Sequence, residues 1–166
     1  MFDCLDVGCG SKPSGTVNCD LYVNDGFHRE GKTVLEPKSI SNFVLCDVQH
    51  LPFKDGAFHV VFSSHVIEHV PKPFLMLKEM WRVCKSQVKI VCPHGFGDRL
   101  ARRDKRVHIN HLTGEWFDCA GRKVGCSKIS VAYSAYYYIP HKFLPWFMFP
   151  LELTVYYFRE ESFCLG

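Results

Sequence analysis

Short runs of apolar and β-branched residues, each bounded by polar or turn residues, recur along the first half of the chain. Runs of this length and composition predict buried β-strands. They lie at residues 2–7, 16–21, 43–46, 57–62 and 88–92. Between the last two runs, residues 71–85 carry apolar side chains at helical spacing and charged side chains on the opposite face, which predicts one amphipathic helix.

The order of these elements indicates a fold class. A strand, a helix and a second strand within one small domain predict an α/β fold with a mainly parallel sheet and right-handed crossovers. Residues 127–138 and 151–158 are rich in aromatic and β-branched residues, and they predict an antiparallel strand pair at one edge of the sheet. Residues 24–41 are rich in Gly, Lys, Glu and Asp, which predicts a mobile loop.

The composition fits a single globular domain over residues 1–166. Of these residues 47% are hydrophobic and 22% are charged, so the chain can bury its own core. The net charge of +3 is too small to indicate nucleic acid or an anionic membrane as a partner.

The chain has nine cysteines, an odd number with no CxxC pair, which indicates reduced thiols in a cytoplasmic protein. Residues 143–151 form the longest apolar stretch, far short of the ~20 residues that span a bilayer, so no transmembrane segment is expected.

A glycine turn follows the first predicted strand, in the run Asp6-Val7-Gly8-Cys9-Gly10. Glycines at such a position let the backbone turn tightly and approach a ligand closely. The motif alone is a weak signal, since a simple turn explains the same glycines. Only seven residues separate Gly10 from Asn18, which is too few for a normal crossover helix.

Two aspartates that follow later strands indicate a nucleoside ligand. Asp20 ends the second strand, where a carboxylate in a doubly wound fold accepts hydrogen bonds from both hydroxyls of a ribose. Asp47 lies just after the third strand and is placed to accept from an adenine amino group, although an aspartate after a strand is also often a helix cap.

These pieces, with the segments between them, resemble a known family. The chain resembles the class I S-adenosylmethionine-dependent methyltransferases of the type 11 group over residues 2–94, through the runs DVGCG, NCDLY, CDVQHLPFKDGAFHVVFSSHVIEHVPKPFLMLKEMWRVCK and VKIVCPH. The most specific part of the resemblance is the ordered set Leu51-Pro52-Phe53, Asp55, Phe58, Glu68-His69-Val70, Glu79 and Arg82-Val83.

The resemblance implies a Rossmann-like three-layer α/β/α sandwich with a mostly parallel, seven-stranded type of sheet and S-adenosyl-L-methionine at the carboxyl ends of its first four strands. The glycine turn would then lie against the methionine part, and Asp20 would bind the ribose. Asp47 and Val48 would bind the adenine, and residues 63–65 would line the opening for methyl transfer. The cofactor-binding residues that it implies are Asp6, Gly8, Cys9, Gly10, Asp20, Leu21, Asp47, Val48, Ser63, Ser64 and His65.

The chain also departs from the family pattern. Lys12 stands where a third glycine is common, the first crossover is short, and the sequence begins directly at the first strand. These departures predict a more open cofactor pocket that is closed by the acceptor, by residues 24–41 or by a second subunit. We expect residues 1–94 to form the cofactor-binding half and residues 95–166 the acceptor-side half.

Histidines are the candidates for acid–base chemistry. His94 follows the fifth strand, where an imidazole with a pKa near ~6.5 suits proton removal, although a hydrogen-bonded turn histidine is the alternative. His108 and His111 lie three residues apart and could bind zinc with a third ligand. No cysteine lies beside them at ligand spacing, so a place in the acceptor pocket is favoured and no metal site is predicted. The predicted catalytic residues are His94 and His111, whereas the resemblance gives Glu68 and His69 a mainly structural role.

Two further segments are candidates for contact with an acceptor or another macromolecule. Residues 98–106 hold five basic and two acidic side chains, which is typical of a solvated face, and a grip on an anionic acceptor is the alternative. No aromatic residue is interleaved there, so no stable nucleic-acid partner is expected. Aromatic residues collect downstream instead, and we interpret residues 143–150 as a homodimer contact, an acceptor lid or a membrane-surface segment, in that order.

The sequence thus predicts a cytoplasmic methyltransferase that uses S-adenosyl-L-methionine and acts on a small or lipid-like acceptor. Two alternatives stay open. One is a non-catalytic module that binds S-adenosylmethionine, and the other is an RNA methyltransferase.

Overall fold

The computed structural model describes residues 2–21, 36–95, 108–138 and 148–160. Seven β-strands and two α-helices have both ends within these ranges. The strands are β1 Phe2–Val7, β2 Val17–Asp20, β3 Phe43–Leu45, β4 Phe58–Ser64, β5 Cys84–Pro93, β6 Lys128–Tyr138 and β7 Met148–Phe158. The helices are α1 Pro73–Val83 and α2 Gly114–Val124, and short 3-10 turns span Pro37–Ser39 and Ile67–His69.

The strands form one sheet with the order β3-β2-β1-β4-β5-β7-β6. Strands β1 to β5 run parallel, and β7 runs antiparallel to both β5 and β6. The predicted Rossmann-like α/β fold, with a mostly parallel seven-stranded sheet and an antiparallel edge pair, is confirmed.

The strand order reverses at β1, with β2 and β3 on one side and β4 and β5 on the other. Val7, the last residue of β1, lies beside Cys19 of β2 and Ser63 of β4. The segments that follow these strands therefore meet at one end of the sheet. In open α/β sheets the crevice at such a switch point is where ligands bind.

The core lies between the sheet and the two helices. Helices α1 and α2 contact each other as well as the strands, so both cover the same face. Tyr157 Oη donates a hydrogen bond to the carbonyl of Phe117 on α2 at 2.8 Å, and a Cβ on Gly121 would overlap the Tyr157 ring. Alternate residues of β5 and β7 are fully buried on this face: Val88, Ile90, Cys92, Leu153, Val155 and Tyr157.

Helix α2 is missing from the sequence prediction, although its ends carry ordinary signals. The Thr113 hydroxyl accepts a hydrogen bond from the Trp116 N–H, and Gly125 closes the helix with a left-handed φ of 79°. The predicted helix over 71–85 is confirmed with shorter bounds. Strand β5 begins at Cys84, directly after α1 and four residues before its predicted start at residue 88.

Arg82 on α1 holds the segment that precedes β4. Its guanidinium donates to the Glu79 carboxylate at 2.8 Å and to the Asp55 carboxylate at 2.7 Å. It also donates to the carbonyls of Leu51 and Phe53 at 2.9 and 2.8 Å, while Glu79 accepts from the Leu51 N–H at 2.9 Å. The most specific part of the family resemblance therefore contains an ion-pair clamp between α1 and the preceding segment.

Replacing Glu79 by Gln is expected to lower the free energy of unfolding by about 2 kcal/mol at pH 7, because the amide loses charge-assisted bonds to Arg82. Arg82 lowers the pKa of Glu79 in the folded protein, and Leu51 N–H and His50 act in the same direction. The stabilisation is thus fully present above the unfolded pKa, ordinarily 4.5, and is lost as the pH falls through the folded pKa.

Urea unfolding of the wild type and Glu79→Gln at pH 7 and at about pH 3 checks this prediction, and the difference between the two proteins should shrink in acid. Lys78→Gln, at an exposed position on the same helix, is the control and should change the unfolding free energy by less than about 0.5 kcal/mol. A loss of the same size at both pH values would contradict the clamp.

Candidate functional site

A cavity of about 340 Å³ opens at the carboxyl ends of β1 to β4, at the switch point of the sheet. Its volume lies in the range of small-molecule sites. The described residues that line it are Gly8, Cys9, Gly10, Ser11, Lys12, Asp20, Leu21, Asp47, Val48, Gln49, Ser64, His65, Val66, His69, Val70 and Pro71.

The turn after β1 forms one wall of the cavity. The N–H groups of Gly8 and Cys9 both donate to the Cys19 carbonyl, at 2.8 and 3.0 Å, so the turn is tied to β2. Gly8 and Gly10 have left-handed φ values of 72° and 54°, which favour glycine. A Cβ on Gly8 would also overlap the side chain of Val66, whereas one on Gly10 would have no atom within 4 Å. Gly8 is therefore required by both conformation and packing.

Two carboxylates line the next part of the wall. Asp20 Oδ2 accepts from the Gly10 N–H at 3.0 Å, which fixes this carboxylate at the base of the glycine turn. Asp47 Oδ1 accepts from the Gln49 N–H at 2.8 Å, and Gln49 Nε2 lies 3.2 Å from both oxygens of Asp47. An ionised carboxylate has about four acceptor positions, so a carboxylate at this wall can accept from several donors at once.

His65 lies on the opposite wall, directly after β4, with a left-handed φ of 55°. Its Nδ1 is 3.5 Å from Glu68 Oε1, and its Nε2 is 3.3 Å from Glu152 Oε2 on β7. The Glu68 side chain above all, and then Glu152, raise the pKa of His65 above its ordinary value. The cavity wall thus carries an imidazole between two carboxylates.

Nine of the eleven cofactor-binding residues predicted from the sequence line the cavity. The other two, Asp6 and Ser63, are 3% and 1% exposed and lie behind its wall. Asp6 Oδ2 accepts from the N–H and the hydroxyl of Ser14 at 2.9 and 2.8 Å, and burial raises its pKa. Asp6 therefore holds the loop between β1 and β2 in place, and a direct contact of Asp6 or Ser63 with a ligand stays a prediction.

Neither predicted catalytic histidine is among the described residues that line the cavity. The His94 ring follows β5 and lies 5.9 Å from the ring of Tyr133, and burial lowers its pKa. His111 lies in the segment before α2, so the roles of both residues stay predictions.

No ligand contact is predicted from the sequence for several residues that do line the cavity. They are Ser11, Lys12, Gln49, Val66, His69, Val70 and Pro71.

A positional signal could have identified these missed residues. They lie within six residues after the glycine turn, Asp47 or His65, in segments that follow the carboxyl ends of strands. Such loops form the ligand crevice of α/β sheets, so their place in the chain indicates the cavity wall.

Three predicted features fall wholly or partly outside the described residues. Of the predicted mobile loop over 24–41, the structure describes residues 36–41. The charged segment 98–106 lies outside, as do residues 143–147 of the aromatic segment. Within the described ranges, no helix is long and apolar enough to cross a membrane.

A cavity at the switch point of a mostly parallel sheet, with a glycine turn and a carboxylate after each of the next two strands, is typical of nucleoside-binding proteins of the Rossmann-like class. A family model described as a methyltransferase domain matches residues 5–92, more than half of the chain. The chain therefore belongs to the type 11 methyltransferases, an enzyme family whose cofactor is S-adenosyl-L-methionine.

Individual relatives differ in the acceptors for which they are named. A 2-methyl-6-phytyl-1,4-hydroquinone methyltransferase of Synechocystis sp. is 32% identical over 117 residues, which are 64% of this chain and 35% of that protein. A tRNA U34 carboxymethyltransferase of Nautilia profundicola is 33% identical over 87 residues, which are 47% of this chain and 29% of that protein. The chain thus spans about a third of the length of these curated relatives.

A solved structure shows the same fold along nearly the whole chain. The SAM-dependent methyltransferase of Thermotoga maritima superposes with a TM-score of 0.70 at 14% identity, covering 96% of this chain and 83% of that one. The likeness therefore extends to the antiparallel strands beyond the family match.

Proposed function

We propose that the chain binds S-adenosyl-L-methionine in the cavity and transfers the methyl group to a small or lipid-like acceptor. The observation that carries this proposal is the grouping of three features on one cavity: the turn over residues 8–10, the Asp20 carboxylate and the Asp47 carboxylate. Membership of the methyltransferase family supports the same cofactor.

The residues present fit the adenosyl group. A ribose diol and an adenine amino group are hydrogen-bond donors, and the carboxylates of Asp20 and Asp47 accept hydrogen bonds. Leu21 is 41% exposed at the cavity, where an apolar ring can cover it. The open space around Gly10 lets the backbone approach the methionine part without a Cβ in the way.

When bound, the cofactor would supply a methyl group on a sulfonium sulfur, to be attacked in line by a lone pair of the acceptor as the carbon–sulfur bond breaks and a neutral thioether leaves. The residues of this chain act by positioning the two reactants. The glycine turn and Asp20 hold one side of the cavity, and Ser64 and His65 lie at the carboxyl end of β4 on the other side. Holding the acceptor atom close to the reacting carbon supplies a large part of the rate enhancement in such reactions.

The walls near His65 favour a carbon-rich acceptor. Val66, Val70 and Pro71 line this part of the cavity, and apolar walls with a few polar groups suit small organic ligands. The Synechocystis relative is named for a hydroquinone that carries a phytyl group, which supports a lipid-like acceptor. The tRNA enzyme among the relatives makes RNA the alternative to be tested.

We also propose a cytoplasmic location and a homodimer contact through residues 143–150. The eight cysteines within the described residues form no disulfide bond, which supports a reducing compartment. The aromatic residues of segment 143–150 are of the kind that is enriched in interfaces, which supports the contact.

Calorimetric titration of the full chain with S-adenosylmethionine and with its demethylated product is expected to show one site per chain for each. ATP, which carries the same adenosine without the methionine part, is the control and should bind far more weakly. Absence of binding by both cofactor forms would overturn the proposal.

Methyl transfer is then measured with radiolabelled cofactor and three acceptors: a prenylated hydroquinone, a cellular lipid extract and bulk tRNA. Label is expected in the hydroquinone or the lipid extract. Label in tRNA, with acceptor binding that falls steeply with salt, would instead support the RNA alternative. Binding of the cofactor with no transfer to any acceptor would support a non-catalytic module.

A further inference from the structure

Glu68, His69 and His108 come together beside the cavity, although His108 lies far from the other two in the chain. One potential ligand atom from each residue lies within 4.8 Å of the others. The rings of His69 and His108 meet edge to face with centroids 4.8 Å apart. His69 also lines the cavity, so the cluster borders the proposed cofactor site.

The backbone holds this cluster together. The Glu68 carbonyl accepts from the N–H groups of both Ile109 and Asn110 at 3.0 Å. The Asn110 amide donates to the carbonyls of Ile67 and Val70, at 3.1 and 2.7 Å. These four bonds dock the segment after His108 onto the 3-10 turn Ile67–His69. The backbone next to His108 is therefore held against this turn by the fold.

The buried carboxylate of Glu68 independently indicates a bound cation. Its side chain is buried, with the residue 2% exposed, and neither carboxylate oxygen has a hydrogen-bond partner among the described residues. Among the described residues, the basic atoms within 4 Å of Oε1 are His65 Nδ1 at 3.5 Å and His69 Nε2 at 3.9 Å, beyond good hydrogen-bond distances. A buried carboxylate without close partners is costly, and a bound cation removes that cost.

We propose that Glu68, His69 and His108 bind a divalent transition-metal ion, with Zn²⁺ as the ion that fits best. Two imidazoles and one carboxylate are a typical ligand set for Zn²⁺ when the ion keeps an open position. No metal site is predicted from the sequence, because His108 pairs there with His111 and no cysteine lies beside them at ligand spacing. The other two ligands, Glu68 and His69, lie instead on the 3-10 turn that follows β4.

The site deepens the proposed function, and its catalytic role rests on that function. The open position takes the hydroxyl oxygen of an acceptor, and coordination lowers the pKa of that hydroxyl. Its proton goes to solvent, a lone pair of the oxygen forms the new bond to the methyl carbon, and the bond from that carbon to sulfur breaks. The sulfur keeps the bonding electrons and leaves as a thioether. This chemistry selects acceptors with an ionisable hydroxyl, such as a phenol or a hydroquinone.

Metal binding is tested directly on the full chain after treatment with a chelator. Calorimetric titration with Zn²⁺ is expected to give one ion per chain, and Co²⁺ should give the visible absorption of a low-coordinate site. Glu68→Gln and His108→Asn are each expected to weaken Zn²⁺ binding by at least about a hundredfold. His59→Asn, at an exposed position on β4, is the matched control and should bind Zn²⁺ like the wild type.

Thermal unfolding of the same proteins separates a metal site from a structural cluster. Zn²⁺ should raise the melting temperature of the wild type and of His59→Asn and leave that of Glu68→Gln unchanged. Without metal, Glu68→Gln should still fold, because the amide has the same shape as the carboxylate and carries no buried charge. Failure of the wild type to bind Zn²⁺, or equal binding by Glu68→Gln and His108→Asn, would overturn the proposal.

Titration of the metal-free protein with S-adenosylmethionine keeps the two proposals distinct. We expect the cofactor to bind with or without Zn²⁺, since Asp20 and Asp47 lie outside the cluster. Cofactor binding without Zn²⁺ binding would remove only the metal site. Zn²⁺ binding without cofactor binding would remove only the proposed transferase function and the catalytic role that rests on it.

Discussion

Replacing Asp20 by Asn is expected to weaken the binding of S-adenosylmethionine by about a hundredfold, equivalent to about 2.7 kcal/mol. The carboxylate accepts from the Gly10 N–H, and its two acceptor oxygens suit it to the two hydroxyls of a ribose. The amide has a single acceptor oxygen, so it can keep the bond to Gly10 or serve the diol but cannot do both well. Calorimetric titration of both proteins with the cofactor measures the difference.

Asp3→Asn is the control for Asp20→Asn, because Asp3 is an exposed aspartate at the other end of the sheet. Its cofactor affinity should equal that of the wild type. The thermal unfolding of the cofactor-free proteins should also be compared, so that a local effect on binding is distinguished from a loss of folded protein. A folded Asp20→Asn protein with unchanged affinity would remove the ribose role of Asp20.

Replacing Gly8 by Ala is expected to lower the free energy of unfolding of the cofactor-free protein by about 3 kcal/mol. The left-handed φ of 72° costs an alanine about 1–2 kcal/mol, and the overlap of its Cβ with Val66 adds overpacking of about 1–3 kcal/mol. Gly10→Ala shares the left-handed conformation but meets no neighbour, so it should cost only about 1 kcal/mol. Urea unfolding of both variants measures the two costs.

The double variant Gly8→Ala with Val66→Ala isolates the steric part of this effect. Shortening Val66 removes the two methyl groups that the new Cβ would meet most closely. The double variant should therefore be less destabilised than the sum of the two single variants. Simple additivity would show that the conformation of residue 8, and not its contact with Val66, requires glycine.

The sheet was predictable because its strands are short apolar runs that end at clear turn signals. The first predicted strand matches β1 Phe2–Val7 at both ends, since a glycine turn follows it. The antiparallel pair was predictable from aromatic and β-branched composition, and the structure extends its second strand back to Met148. Helix α2 was harder to detect because Gly121 lies on its buried face against Tyr157, which interrupts the apolar stripe.

The cavity was predictable in outline for a similar reason. Residues that directly follow parallel strands meet at one end of the sheet, so Asp20, Asp47 and His65 could be placed together from their positions alone. The position of a residue alone does not reveal its role, and Asp6 is the example. A carboxylate that binds Ser14 within the fold and one that binds a ligand look the same next to a glycine turn. The proximity of His108 to Glu68 depends on backbone bonds between distant segments, which no local pattern reveals.

The position of β7 in the sheet has a consequence for how the two halves of the chain depend on each other. The family match ends at residue 92, inside β5, and β7 covers the side of β5 that faces away from β4. Without β7, this ten-residue strand would present unpaired N–H and C=O groups beside apolar side chains, which is a template for intermolecular aggregation. The later strands therefore protect this edge of β5, and we expect the two halves of the chain to unfold together.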